Sequence, residues 1–120
     1  MRRQRPATLK RLSCLAHIRR KWYKAAEESC VEAIWFIAQI RQLYQIEDQT
    51  RDLSDSERTA IRRHKAPALW RAMKRRALEL KADPRLLPQS SLGKAVKYFL
   101  NEYTAAVGYL REGRFLPDNN

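Results

Sequence analysis

Ser90-Ser91-Leu92-Gly93-Lys94-Ala95-Val96-Lys97-Tyr98-Phe99-Leu100-Asn101-Glu102-Tyr103 is the stretch that decides the fold class. Leu92, Ala95, Val96, Phe99, Leu100 and Tyr103 recur at offsets of three and four, which gives a helix one apolar face. A serine at its head can accept hydrogen bonds from the free N–H groups of the first turn. A shorter helical run, Ala105 to Leu110, is predicted to stop at Gly113, a residue that tolerates left-handed backbone. Beyond it, Phe115-Leu116-Pro117 reads as extended chain.

The same periodicity recurs upstream. From Ala68 to Lys81, the residues Leu69, Trp70, Met73, Ala77, Leu78 and Leu80 are apolar, while Arg71, Lys74, Arg75 and Arg76 make the opposite face basic. Pro67 lacks an N–H and crowds the preceding turn, so a kink or break is predicted near Lys65 or Ala66. Ser54-Asp55-Ser56-Glu57 is a capping box that opens this helix, and Ser29-Cys30-Val31-Glu32 is a second one that opens the helix before it. That earlier helix, from about Cys30 to Asp52, carries Val31, Ile34, Trp35, Ile37, Ala38, Ile40, Leu43 and Tyr44. So wide an apolar face predicts a long central helix, buried on two sides and paired antiparallel with the proline-kinked one. Trp35 and Phe36 are assigned to the core. A first helix is expected from Cys14, with Leu15, Ile18, Trp22 and Ala25 on one face and Arg19, Arg20, Lys21 and Lys24 around them. Residues 1–13 carry Arg2, Arg3, Arg5, Lys10 and Arg11 with no acid, and are expected to form a disordered basic arm. The whole reads as an all-α fold of about five helices over residues 14–120.

With 120 residues, the chain suffices for one modest domain, and three glycines with five prolines argue against an all-β design. The net charge of +12 points to polyanions, chiefly DNA. The candidate DNA-contacting residues are Arg19, Arg20, Lys21, Arg71, Lys74, Arg75 and Arg76. No membrane is implied: the longest apolar run, Ala33 to Ala38, is far short of the roughly 20 residues of a span. Cys14 and Cys30 make neither a CxxC pair nor a disulfide framework, so the cytoplasm is the expected compartment.

Little chemistry is legible. Cys14 and His17 have the spacing of two zinc ligands on one helix face, but they supply half a tetrahedral site, and only His64 and Cys30 remain to complete it. Cys14 is therefore expected to be buried and His17 to pack or hydrogen-bond near the helix start. Glu27, Glu28, Glu32, Glu47, Asp48, Asp52, Asp55 and Glu57 fit helix caps and surface pairs. No residue is assigned as catalytic, cofactor-binding or metal-binding.

Several ordered blocks nevertheless resemble one family. They are Cys14-Leu15-Ala16-His17-Ile18-Arg19-Arg20-Lys21-Trp22, Leu43-Tyr44-Gln45-Ile46-Glu47, and Leu53-Ser54 with Glu57-Arg58. Leu92 to Asn101, Tyr109-Leu110 with Gly113-Arg114, and Pro117-Asp118-Asn119-Asn120 continue the order. Together they resemble the bacterial insertion sequence 66 family of transposases, enzymes of the DDE type. The family-motif positions are Cys14, His17, Gly93, Lys94, Asp118, Asn119 and Asn120. The resemblance implies an RNase H-like parent core in which three carboxylates hold two magnesium ions. It also implies that all three acids fall outside this chain, two before the Cys14 block and one after Asn120. The chain is thus expected to be a truncated transposase fragment: catalytically inactive, without a cofactor of its own, lacking most of the RNase H-like core, and able to bind DNA non-specifically. The alternative is a stand-alone basic helical module that binds DNA or regulates transposition. DNA, an intact transposase and the missing catalytic half are the expected partners.

Overall fold

The computed structural model describes the backbone of residues 6–28 and 30–111, and side chains from Leu15 to Leu110 except Ser29. Within these residues the chain is all-helical. It forms α1 (Pro6–Glu27), α2 (Val31–Gln49), α3 (Asp55–Ala82) and α4 (Ser91–Ala106), followed by a 3-10 turn, Val107–Arg111. Four α-helices stand where about five were predicted, because the run from Ala105 onward tightens into that turn. The stop expected at Gly113 lies outside the described residues, as do Met1 to Arg5 of the basic arm.

α1 begins earlier than the sequence suggested, inside the stretch read as an arm. Pro6 is its first helical residue, a position where the missing N–H costs nothing and the fixed φ suits the helix. Ala-Thr-Leu-Lys-Arg-Leu then propagates it.

Ser29 of the capping box expected for α2 lies outside the described residues. The N-cap of α2 is Cys30, which makes no side-chain cap hydrogen bond. The Glu32 carboxylate is drawn away by Arg76 of α3, whose Nε donates to it at 3.1 Å. At the other end, Thr50 Oγ1 donates to the Ile46 carbonyl at 2.9 Å. The buried Arg58 of α3 then donates to the carbonyls of Thr50 (3.1 Å) and Arg51 (2.6 Å). The Thr50 carbonyl also accepts from the Leu53 N–H at 3.1 Å, so backbone and side chain together satisfy this C-terminal end.

α3 opens on the predicted capping box: Ser54 Oγ accepts from the Glu57 N–H, and the Glu57 carboxylate accepts from the Ser54 N–H. The break expected at Pro67 is absent. The helix runs through it, with Ala66, Trp70, Met73, Ala77 and Leu80 buried in one stripe. Packing along that whole stripe outweighs the one hydrogen bond that proline forfeits. The antiparallel pairing of α2 with α3 is as expected, since Glu47 meets Arg62 while Glu32 meets Arg76.

The aromatic core is centred on α4 rather than on α2. Phe99 is fully buried, with ring centroids of Trp22 (α1), Phe36 (α2), Trp70 (α3) and Tyr103 all 5.7–6.2 Å away. Trp22 and Phe36 stack at 3.9 Å with planes 3° apart. Each such pair adds about 0.5–1.5 kcal/mol beyond the area it buries. α2 buries Ala33, Phe36, Ile40, Leu43 and Ile46 on one face only. Val31, Ile34 and Trp35 are 79%, 55% and 37% exposed, which corrects both the two-sided burial and the core assignment of Trp35. α2 packs on α1 and α3, and nothing among the described residues covers its outer side.

Gly93 explains how α4 starts. A Cβ there would lie 2.2 Å from the Leu87 carbonyl oxygen and 2.9 Å from that of Pro88. Ser90 Oγ caps the helix by accepting from the Gly93 N–H at 3.0 Å and donates to the Leu87 carbonyl at 2.7 Å. The loop from Leu86 to Pro88 is thereby pressed against the first turn, which only a residue without a side chain allows.

Candidate nucleic-acid interface

The buried stripe of α1, Leu15, Ile18, Trp22 and Ala25, fixes how the rest of that helix faces. His17, Arg20, Lys21 and Lys24 sit at i, i+3, i+4 and i+7, so they form an adjoining stripe, and all four are exposed. That stripe runs beside α4. With Tyr98 it lines a recess of about 380 Å³, in which no carboxylate takes part among the described residues. The Lys21 ammonium lies 5.2 Å from the Tyr98 ring centroid, and His17 meets the same ring edge-on at 6.5 Å. Lys94 is exposed and one turn before Tyr98, so it extends the same cationic side of α4.

A second cationic face lies across α4. Lys74 Nζ is 4.7 Å from the Tyr103 ring centroid, and that ring packs edge-on against Trp70 at 5.9 Å. Burial pushes the Tyr103 phenol up, and the nearby positive charge of Arg71 offsets part of that shift. Arg71, Lys74 and Arg75 are exposed.

The remaining candidate DNA-contacting residues are differently placed. Arg19 lies over the Tyr44 ring at 4.7 Å, between α1 and α2. Arg76 donates to both Glu32 and Glu79, which raises its already high affinity for its proton. The same hydrogen bonding from Arg76 holds the Glu32 carboxyl below its ordinary range. Arg20, Lys21, Lys74, Arg71 and Arg75 are thus the members that the fold leaves on open cationic faces.

Of the family-motif residues, His17 is exposed in the recess rather than packed at a helix start. Gly93 has the steric role described above, and Lys94 is exposed. Cys14 lies on α1 with its side chain outside the described residues, as are Asp118, Asn119 and Asn120 altogether. Cys30 is a half-buried free thiol.

Two polar residues that carry structure were missed by hydrophobic periodicity. Arg62 occupies a position in the buried stripe of α3, one turn before Ala66, and is fully buried. Its Nε donates to Glu47 at 2.8 Å, and its Nη1 reaches the Tyr109 carbonyl at 3.4 Å. Tyr109 in turn accepts the Trp70 indole N–H at 3.1 Å, and burial pushes its phenol far up. Glu47 is therefore a core residue and not the surface acid expected.

Among the described residues the donor set does not fit a two-magnesium cage. No three His, Cys, Asp or Glu residues are grouped to hold a metal among the described residues. Glu47 is committed to Arg62, Glu32 to Arg76, Glu57 to the Ser54 cap and Asp83 to Arg85. No step of a metal-dependent reaction is assigned to these residues. No helix among them is long and apolar enough to cross a membrane.

Comparison with known proteins gives the context. The chain is 34% identical over 108 residues to the uncharacterized protein y4jD of Sinorhizobium fredii (strain NBRC 101917 / NGR234). The match covers 89% of this chain and 21% of that protein, so the chain spans about a fifth of its relative's length. No solved structure matches the chain significantly. The family model described as Transposase IS66 family matches residues 2–120. By that match over nearly its whole length, the chain belongs to the IS66 family of transposases.

Proposed function

We propose that this chain contributes DNA binding to IS66 transposition and performs no phosphodiester chemistry itself. The observation that carries the reading is the α1 stripe of His17, Arg20, Lys21 and Lys24, held beside α4 with no acid among the described residues lining the recess between them. Cations on a rigid helix face suit phosphate oxygens, and phosphate contacts position DNA without reading its sequence. The face of Arg71, Lys74 and Arg75 on α3 adds a second contact surface. Binding is therefore sequence-blind and salt-sensitive. Tight, salt-resistant selection of terminal inverted repeats would contradict this. Catalytic silence is tested by incubating the chain with a transposon-end duplex and Mg²⁺ or Mn²⁺. No nicks are expected, and EDTA-sensitive cleavage that co-purifies with the chain would overturn the assignment.

A second reading is favoured by the exposed Val31, Ile34 and Trp35 on α2. Apolar residues at helical spacing suit a protein partner. Here that partner is the remainder of an IS66 transposase, because the matched segment is 21% of the related protein. Co-elution with the part of y4jD outside the matched segment, lost on Trp35→Asp, supports it, and separate elution of the unaltered chain excludes it.

A further inference from the structure

We propose that the recess between α1 and α4 is a single-strand nucleotide pocket, in which a base taken out of the helical stack lies on Tyr98 and its phosphates are held by Arg20, Lys21 and Lys24. The inference rests on the DNA-binding reading above and adds the form of DNA that this site takes.

The shape of the site separates it from an ordinary basic face. Arg71, Lys74 and Arg75 stand on an outer helix surface, where a duplex backbone can lie along them. The cations of α1 instead line a half-open recess of about 380 Å³. That volume falls in the range of roughly 300–1,000 Å³ typical of pockets that enclose a small molecule or cofactor. A base inside a duplex is covered on both faces by its neighbours and cannot enter such a recess. An unpaired base can.

The lining has the two components that single-strand sites combine: an aromatic face for the base and cations for the backbone. Tyr98 is half-buried, so its ring is held in place by the α1–α4 packing. His17 approaches it edge-on, with planes 78° apart, and braces one side. The Lys21 ammonium is 5.2 Å from the ring centroid, so one face of the ring is held by a cation of α1. Lysine is long and flexible, so an arriving base displaces the ammonium outward to the phosphate, where Arg20 and Lys24 already stand. Tyr103 of α4, which also bears a lysine, packs instead on Trp70 and Phe99.

The test is fluorescence anisotropy with one labelled strand of about ten nucleotides, alone and annealed to its complement, at about 0.15 M salt. The wild-type chain is expected to bind the single strand several-fold more tightly than the duplex. Tyr98→Leu keeps the bulk that packs against the helices but removes the π-face. It is expected to weaken single-strand binding roughly ten-fold and duplex binding less than two-fold. Tyr98→Trp retains a stacking face and is expected to keep the preference, which guards against misreading a folding defect. Equal affinity of the wild type for both forms, or an equal loss on both in Tyr98→Leu, overturns the pocket while leaving DNA binding in place. Failure of the wild type to bind either form overturns the pocket and the proposed function together.

Discussion

Glu47 and Arg62 lie fifteen residues apart on antiparallel helices and form an ion pair that is buried on both sides, with 3% and 0% of their side chains exposed. Both carboxylate oxygens accept from the Arg62 Nε, at 3.0 and 2.8 Å. The guanidinium also faces the Tyr109 ring at 5.4 Å. This pair ties α2 and α3 to the turn that follows α4.

Removing one partner of such a pair strands a charge in the core. Glu47→Ala is expected to cost about 3–5 kcal/mol in a urea titration. Replacing both residues together, as Glu47→Leu with Arg62→Met, is expected to cost much less than the sum of the two single changes, because no charge is then left unpaired.

The two adjacent aromatics of α2 part company. Phe36 is fully buried against Trp22 and Phe99, whereas Trp35 is 37% exposed. Phe36→Ala is expected to cost about 3–5 kcal/mol, and Trp35→Ala less than half of that. Denaturant titration of the two variants checks the order, and a larger loss at Trp35 would move the core to the other face of α2.

That contrast also shows where the sequence was legible. Periodicity found the four α-helices of the described residues, the Ser54 cap, the pairing of α2 with α3 and the apolar stripe of α4. It misplaced the centre because Val31, Ile34 and Trp35 look like core in one dimension, and a helix flanked by two neighbours leaves a third side open. Arg62 and Glu47 escaped for the opposite reason. A charge inside an apolar stripe reads as a break in it, and only tertiary pairing turns it into core. The basic residues were visible from composition, but their division was not. Arg76 is taken up by Glu32 and Glu79, while Arg20, Lys21 and Lys24 gather around Tyr98 from another helix.

Stability in acid has a specific expected dependence. The hydrogen bond from Arg76 lowers the folded pKa of Glu32 below its ordinary 4.5. A depressed carboxylate contributes stability that is fully present above the unfolded pKa and is lost as pH falls through the folded one. Both side chains are more than a third exposed, so solvent screens the pair and the effect is small. In thermal melts, Glu32→Gln is expected to be less stable than the wild type at neutral pH, and the gap is expected to narrow as pH falls below 4.5. A gap that stays constant with pH would assign the loss to packing instead of charge.

The most direct measurement of the central claim is the salt dependence of single-strand binding. Each phosphate neutralised on a single strand contributes about 0.7 to the slope of log affinity against log salt. If Arg20, Lys21 and Lys24 hold phosphates, then replacing all three by alanine lowers the magnitude of that slope by about two, with the fold intact by circular dichroism. A slope unchanged from the wild type would place the DNA elsewhere and contradict the assignment of the α1 face as the nucleic-acid interface.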